Sequence, residues 1–159
     1  MENLRKYRIA VVQMDSRNDK GANVKYACQC IDEAAANAAK LIRFPELYRI
    51  MTLEGAQVIF TPASFTMATG KEHWECILRT RAIENACYIV AADQIGQKHE
   101  FLAYGHSMVI DPWGTVIAKA RGEAGMFYAD IDLDYEDKIR QKVPVLKNRR
   151  SDIYEVKRR

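Results

Sequence analysis

Apolar residues are distributed along the chain with two alternating periods. Ile9-Ala10-Val11-Val12 is a continuous apolar run inside Tyr7 to Met14, the pattern of a strand buried on both faces. A polar turn from Asp15 to Gly21 follows. Val24, Ala27, Cys28, Ile31, Ala35 and Ala38 then recur at helical spacing, which predicts an amphipathic helix over Asn23 to Ala39. Leu41 to Phe44 reads as the next strand, stopped by Pro45. Strand, helix, strand in that order begins a βαβ unit, with the helix covering a sheet.

After Pro45 the alternation resumes. Glu46 to Glu54 suits a short helix closed by Gly55. Ala56 to Thr61 reads as a strand ended by Pro62, and Ala63 to Gly70 as a loop of small and polar residues. Glu72 to Ala86 predicts a second long helix that buries Trp74, Ile77, Leu78, Ala82 and Ala86 on one face. Cys87 to Gln94 is strand-like. From there the pattern changes to neighbouring strands, at Tyr104–Asp111, Thr115–Ala120 and Gly125–Leu133, with a turn at Pro112-Trp113-Gly114. Tyr135 to Lys142 closes the series as a helical turn or two. Neither an internal repeat nor a low-complexity linker interrupts it.

Composition narrows the class. A chain of 159 residues suits one domain, here 1–159, and can bury roughly two thirds of its unfolded surface. With 48% hydrophobic and 28% charged residues, it reads as a folded globular protein and not a disordered one. The net charge of +3 is mild; basic residues gather only near the end, at Lys147, Arg149, Arg150, Lys157, Arg158 and Arg159. A tail of this kind reads as a solvated surface, since no aromatic but Tyr154 is interleaved with it, and a nucleic-acid partner is not expected. The sequence has no apolar run long enough for a membrane span, and its charged start leads straight into a strand with no signal-peptide pattern. Cys28, Cys30, Cys76 and Cys87 lack metal-ligand spacing, so reduced thiols in a cytoplasmic protein are the expectation, with no metal and no cofactor.

Five segments, in order, resemble the nitrilase superfamily of carbon–nitrogen hydrolases. Ile9-Ala10-Val11-Val12-Gln13-Met14 is similar to the family's opening strand. Arg43-Phe44-Pro45-Glu46-Leu47-Tyr48-Arg49 resembles the stretch after its nucleophilic cysteine, typically C-Y-D-x-R-F-P-E-L. Gly55 to Phe65 resembles the strand and loop beside the active site. His73-Trp74-Glu75 with Arg79 to Asn85 resembles the helix that follows, and Gly105 to Gly114 the hairpin G-x-S-x-V-x-D-P-x-G. Together they cover nearly the whole chain. The resemblance implies an α/β fold, the αββα sandwich of the nitrilase type, and hydrolysis of small linear amides by a glutamate, a lysine and a cysteine. There the thiolate attacks the amide carbon, the glutamate takes the thiol proton and the lysine stabilises the oxyanion.

The departure from the family pattern is as informative. The family has two F-P-E sites, one early and one after the cysteine, whereas Lys40-Leu41-Ile42-Arg43-Phe44-Pro45-Glu46 is the only one in this chain. Its left half matches the first site and its right half the second. Arg43 favours the second register, because an arginine in the buried strand of the first would be costly. The chain therefore reads as one domain internally shortened near residues 41–46, an incomplete sandwich with central strands missing, and with them the lysine and cysteine. Cys28, Cys30 and Cys76 fall on predicted helices and Cys87 opens a strand, none at a strand-to-helix elbow, so no nucleophile is assigned. Glu46 has two readings. By position it occupies the general-base site; by its following residues it is a structural glutamate paired with Arg43 or Arg49. Thr61, Pro62, Ala63, Ser64 and Phe65 are expected to wall the substrate pocket, and His73 and Trp74 to cap and pack their helix.

Two functions compete. One is a hydrolase polypeptide, inactive as it stands, whose relatives take small amides. The other is a non-catalytic assembly module that associates with itself or with a full-length homologue, since the family commonly forms dimers through its helix layer and a C-terminal segment that Asn148 to Tyr154 resembles. Without central strands, Tyr7–Met14 and Ala56–Thr61 must pair in a new register or leave open edges, which predicts a homo-oligomer.

Overall fold

The structure, a computed structural model, describes residues 5–13, 19 and 45–156. The helix expected at Asn23–Ala39 and the strand at Leu41–Phe44 lie outside the described residues, as do Cys28, Cys30 and Arg43.

One four-stranded sheet organises the molecule. Strand β2 (Val58–Ala63) runs parallel to β3 (Tyr88–Asp93), and β3 pairs antiparallel with β6 (Met108–Ile110), which pairs with β7 (Val116–Lys119). β3 is buried almost throughout because both faces are covered. Ile89 and Ala91 point one way, with Ile59, Met108 and Ile110, against Tyr48, Trp74, Leu78 and Ala82 of the helix layer. Tyr88 and Val90 point the other way, with Val109, against Val11, Ala129 and Ile131 of a second sheet. A helix layer and two sheets thus stack about two cores that share β3, the architecture expected of a nitrilase-type sandwich.

The second sheet pairs the beginning of the chain with its end. β1 (Lys6–Gln13) runs antiparallel to β8 (Gly125–Asp132), in register from Lys6↔Asp132 to Gln13↔Gly125. Ile9 and Val11 pack inward, while Lys6 and Arg8 lie exposed and pair with Asp132 and Asp130 across the ladder. The first strand is therefore closed by a partner within the chain. The edge of β2 is different: among the described residues only β3 pairs with it.

Helix α1 (Pro45–Leu53) starts at a proline, whose missing N–H costs nothing in a first turn. It ends where Gly55 adopts φ 99°; the Gly55 amide donates to Thr52 O at 3.1 Å and the Ala56 amide to Met51 O at 2.9 Å. α2 (Glu75–Asn85) buries Leu78, Ala82 and Asn85 and terminates at Ala86, left-handed at φ 46°. Ile77 is a correction: it is 41% exposed, because the buried stripe runs Trp74, Leu78, Ala82 and leaves Ile77 beside it. The loop expected at Ala63–Gly70 is another. It contains a helical turn, Met67–Thr69, capped by Thr66 Oγ1 accepting from the Thr69 amide, and continues as a π-helical turn, Gly70–Trp74, into α2. β2 also runs through Pro62, which a strand edge tolerates. The stretch expected as one strand at Tyr104–Asp111 is split, since Gly105 and His106 adopt φ 68° and 57°. Before the break, β4 (Ile95–Gln97) and β5 (Leu102–Tyr104) form a small hairpin. The turn after Ile110 is held by Asp111, whose Oδ1 accepts from the amides of Trp113 and Thr115. Helix α3 (Leu133–Lys142) closes the described fold, with Asp132 as its N-cap.

Candidate functional site

The parallel pair β2–β3 ends in the segment expected to wall a pocket. Thr61 is buried and its hydroxyl lies 2.9 Å from the Tyr48 hydroxyl, which ties the start of α1 to the sheet. Burial raises the Tyr48 phenol, and the Thr61 contact opposes that rise. Pro62 and Ala63 are half-buried and Ser64 is exposed. Phe65 packs tilted on Trp74, ring centroids 4.9 Å apart, and Trp74 Nε1 donates to His106 O at 3.0 Å. His106 in turn stacks on Tyr104, and the Tyr104 amide donates to Phe65 O. The five wall residues thus form a strand end and loop held from three sides.

Asp93 holds this loop. Its Oδ1 accepts from the Phe65 amide at 2.8 Å, while its Oδ2 is buried without a hydrogen-bond partner. Burial pushes the carboxyl up to about 6, against the pull of the Phe65, Gly105 and Gln94 amides. Ser107 Oγ accepts from the Asp93 amide at 3.0 Å and donates to Asp93 O. Gln13, fully buried at the end of β1, completes the group. Its Oε1 accepts from the Ser107 amide, and its Nε2 donates to Arg121 O and Glu123 O. The sequence reading missed Asp93, Gln13 and Ser107. The available signal was a polar residue ending an otherwise apolar strand, as Gln13 ends Ile9–Val12 and Asp93 ends Tyr88–Ala92.

Glu46 stands elsewhere. It is exposed in the first turn of α1 and lines a cleft of about 170 Å³ with Pro45, Arg49, Glu84, Arg149, Tyr154 and Val156. None of the five wall residues lines that cleft. Arg49, a sequence-expected partner of Glu46, donates through Nη2 to Glu84 O at 2.5 Å. Two cysteines lie within the described residues. Cys76 is exposed on α2, and Cys87 is fully buried, its thiol pushed up to about 12 by burial. His73 is exposed and Trp74 buried. Among the described residues no three His, Cys, Asp or Glu side chains converge on a metal-sized site, and no helix is long and apolar enough to cross a membrane.

Aligned on Arg43–Leu47, the pattern C-Y-D-x-R-F-P-E-L puts its cysteine at Ala39, its tyrosine at Lys40 and its aspartate at Leu41. Asp93 steadies the strand end and loop of Thr61–Phe65, and alanine stands where the pattern has its cysteine.

Comparison with known proteins accords with this architecture. Residues 42–141 match the family model described as carbon-nitrogen hydrolase. The deaminated glutathione amidase of Homo sapiens is 49% identical over 114 residues, 71% of this chain and 35% of that protein. The omega-amidase NIT2 of Danio rerio is 45% identical over 116 residues, 72% of this chain and 42% of that protein. Among solved structures, the NitFhit protein of C. elegans superposes with a TM-score of 0.69 at 50% identity, covering 72% of this chain and 28% of that one. Nit3 of Saccharomyces cerevisiae, a member of branch 10 of the nitrilase superfamily, superposes with a TM-score of 0.64 at 36% identity, covering 68% and 40%. The chain spans about a third of the length of the curated relatives it matches.

Proposed function

We propose, from the premise that this chain belongs to the carbon-nitrogen hydrolase family, that it is a hydrolase polypeptide without hydrolytic activity of its own. The observation that carries the reading is Ala39 at the aligned cysteine position, together with the absence of the family's lysine segment upstream of Arg43. An amide carbon is a poor electrophile. Its hydrolysis needs a nucleophile, a base to activate it and a charge on the oxyanion, and losing the nucleophile costs orders of magnitude in rate. The shortening near residues 41–46 removes two of the three at once. The third, Glu46, faces a cleft apart from the wall, which favours its structural role.

The substrate class proper to the ancestral site is a small linear amide, by analogy with the amidases it resembles. The test is ammonia release from such amides by the purified chain. Release should stay at background, and Ala39→Cys alone should leave it there, because the oxyanion lacks its lysine. Turnover above background that disappears in Glu46→Gln would overturn the reading.

The assembly alternative draws support from one feature. Leu47 and Leu53 on α1, with Ile77 and Ile83 on α2, leave large apolar side chains on the outer helix layer. Such a surface suits association with a second copy of this chain.

A further inference from the structure

The cleft that Glu46 lines, apart from the Thr61–Phe65 wall, brings together two arginines from distant parts of the chain. Arg49 comes from α1. Arg149 comes from the turns after α3, where the Ile153 and Tyr154 amides donate to Arg150 O at 3.0 and 3.2 Å and fold the segment back on itself. Both arginines are half-buried, and each has a nitrogen shut off from solvent with no acceptor: Nη1 of Arg49 and Nε of Arg149. A buried N–H left unpaired loses its water and gains nothing in return, so such groups are normally satisfied. Two of them, on arginines that line one cleft of about 170 Å³, mark a place that lacks an acceptor.

The neighbouring side chains do not supply it. Arg49 is committed through Nη2, which donates to Glu84 O at 2.5 Å and so sets the position of its guanidinium. Arg150, next to Arg149 in sequence, lies exposed and forks onto Asp152, with Nη2 2.7 Å from Oδ2. Arg149 has no such acid. Among the described residues it makes neither a hydrogen bond nor an ion pair.

Charge decides what the acceptor can be. Glu84 Oε1 lies 2.5 Å from Arg81 Nη1, so those two charges offset each other. The exposed carboxylate of Glu46 offsets one of the two cleft arginines. One positive charge is left over, which a monoanion matches and a dianion overshoots. A guanidinium presents its donors in a planar fork, the geometry that a carboxylate accepts. Tyr154 and Val156 add carbon surface beside the arginines, as suits a carboxylate on a short organic body.

We propose that this cleft is a binding site for a small monocarboxylate, held by Arg49 Nη1 and Arg149 Nε. Arg49 is the preset half of the site and Arg149 the free half. A carboxylate bound between them bridges α1 and the segment after α3. The site is separate from the Thr61–Phe65 wall, and its occupancy does not depend on whether the chain hydrolyses amides.

NMR on the full chain reads this directly, because each arginine Nε–H gives its own signal. The Arg149 signal, assigned by its loss in Arg149→Gln, should shift saturably as acetate is added, and the Arg49 signal should follow with the same half-saturation. Chloride at equal ionic strength should leave both in place, and inorganic phosphate should bind more weakly than acetate. Read at Arg49, Arg149→Gln should weaken acetate binding by about tenfold or more. Arg149→Lys, which keeps the charge but not the fork, should weaken it as well. Both variants should melt at the parent's temperature, because Arg149 bonds to no described residue. Shifts that never saturate, that chloride reproduces or that survive Arg149→Gln would overturn the proposal. So would a lower melting temperature in both variants, which would mean that Arg149 already has a partner. Phosphate binding tighter than acetate would count equally against it. Movement of the Arg149 signal on concentrating the protein alone would assign the cleft to a second copy of this chain and overturn it too.

Discussion

Asp93 illustrates how a single buried atom sets a pH dependence. Its carboxyl sits 2% exposed at the end of β3, with one oxygen holding the Phe65 amide and the other holding nothing. The native state keeps a proton on it up to about pH 6, while the unfolded chain loses it near 3.8. The native state thus binds more protons between those values, and stability declines as pH rises across that window. About two pH units correspond to roughly 3 kcal/mol at most. Asp93→Asn keeps an acceptor for Phe65 and removes the titration. Its stability relative to the parent should rise by about 2–3 kcal/mol between pH 4 and 7 in urea melts. An unchanged difference would mean that Asp93 is solvated and ionised throughout. Residues of this kind were the least legible in the sequence. Gln13 and Asp93 look like strand-end polars there, and their side-chain partners come from far along the chain: Ser107, Arg121 and Glu123 for Gln13, and Phe65 for Asp93. Glu136 is similar: in sequence it is one more acid in Asp134-Tyr135-Glu136-Asp137, and nothing local marks it as the buried one.

The elements follow local rules more closely. Gly55 as the end of α1, the turn at Pro112–Gly114 and the strand at Val116–Lys119 each rest on neighbouring residues, and each is where the pattern puts it. Errors arise where distant packing decides the backbone. Gly70 reads as the last residue of a small polar loop, yet it lies in a π-helical turn whose wide backbone rests on Tyr104. A Cβ there would stand 2.2 Å from Tyr104 Cγ, too close for any rotamer to relieve without moving the ring off His106. Gly70→Ala should therefore cost about 1–3 kcal/mol. In thermal melts that is a drop of roughly 3–10 °C. Ala at the same cost as an ordinary exposed helix position would show that the π turn relaxes to an α turn. The break at Gly105–His106 has the same origin: His106 leaves the strand conformation as its carbonyl takes the Trp74 indole.

At the scale of the molecule, the family was legible because motifs survive in order, while the pairing of strands was not. β1 meets β8 across more than a hundred residues of chain, a register no local period reports. That pairing gives the first strand a partner, while β2 stands at one edge of the four-stranded sheet. β2 carries Val58-Ile59-Phe60-Thr61, uncharged and β-prone, and the nearest charged residues in sequence are Glu54 before it and Lys71 after it. Pro62 blunts one end of it, but four residues still offer backbone groups on a side to which no described strand pairs. In a relative about twice as long, further chain is available to lie along such an edge; the shortening we propose near residues 41–46 would leave less to offer here. Association through β2, aided by the apolar residues on α1 and α2, follows as the expected outcome. Sedimentation velocity over a dilution series should show a species heavier than one chain at high concentration and its dissociation on dilution. Lysine at Gln57, beside the edge, should move that equilibrium toward the monomer through charge repulsion between facing strands. A single sedimenting monomer at every concentration, with one cooperative thermal transition, would mean that the edge is already covered within the chain.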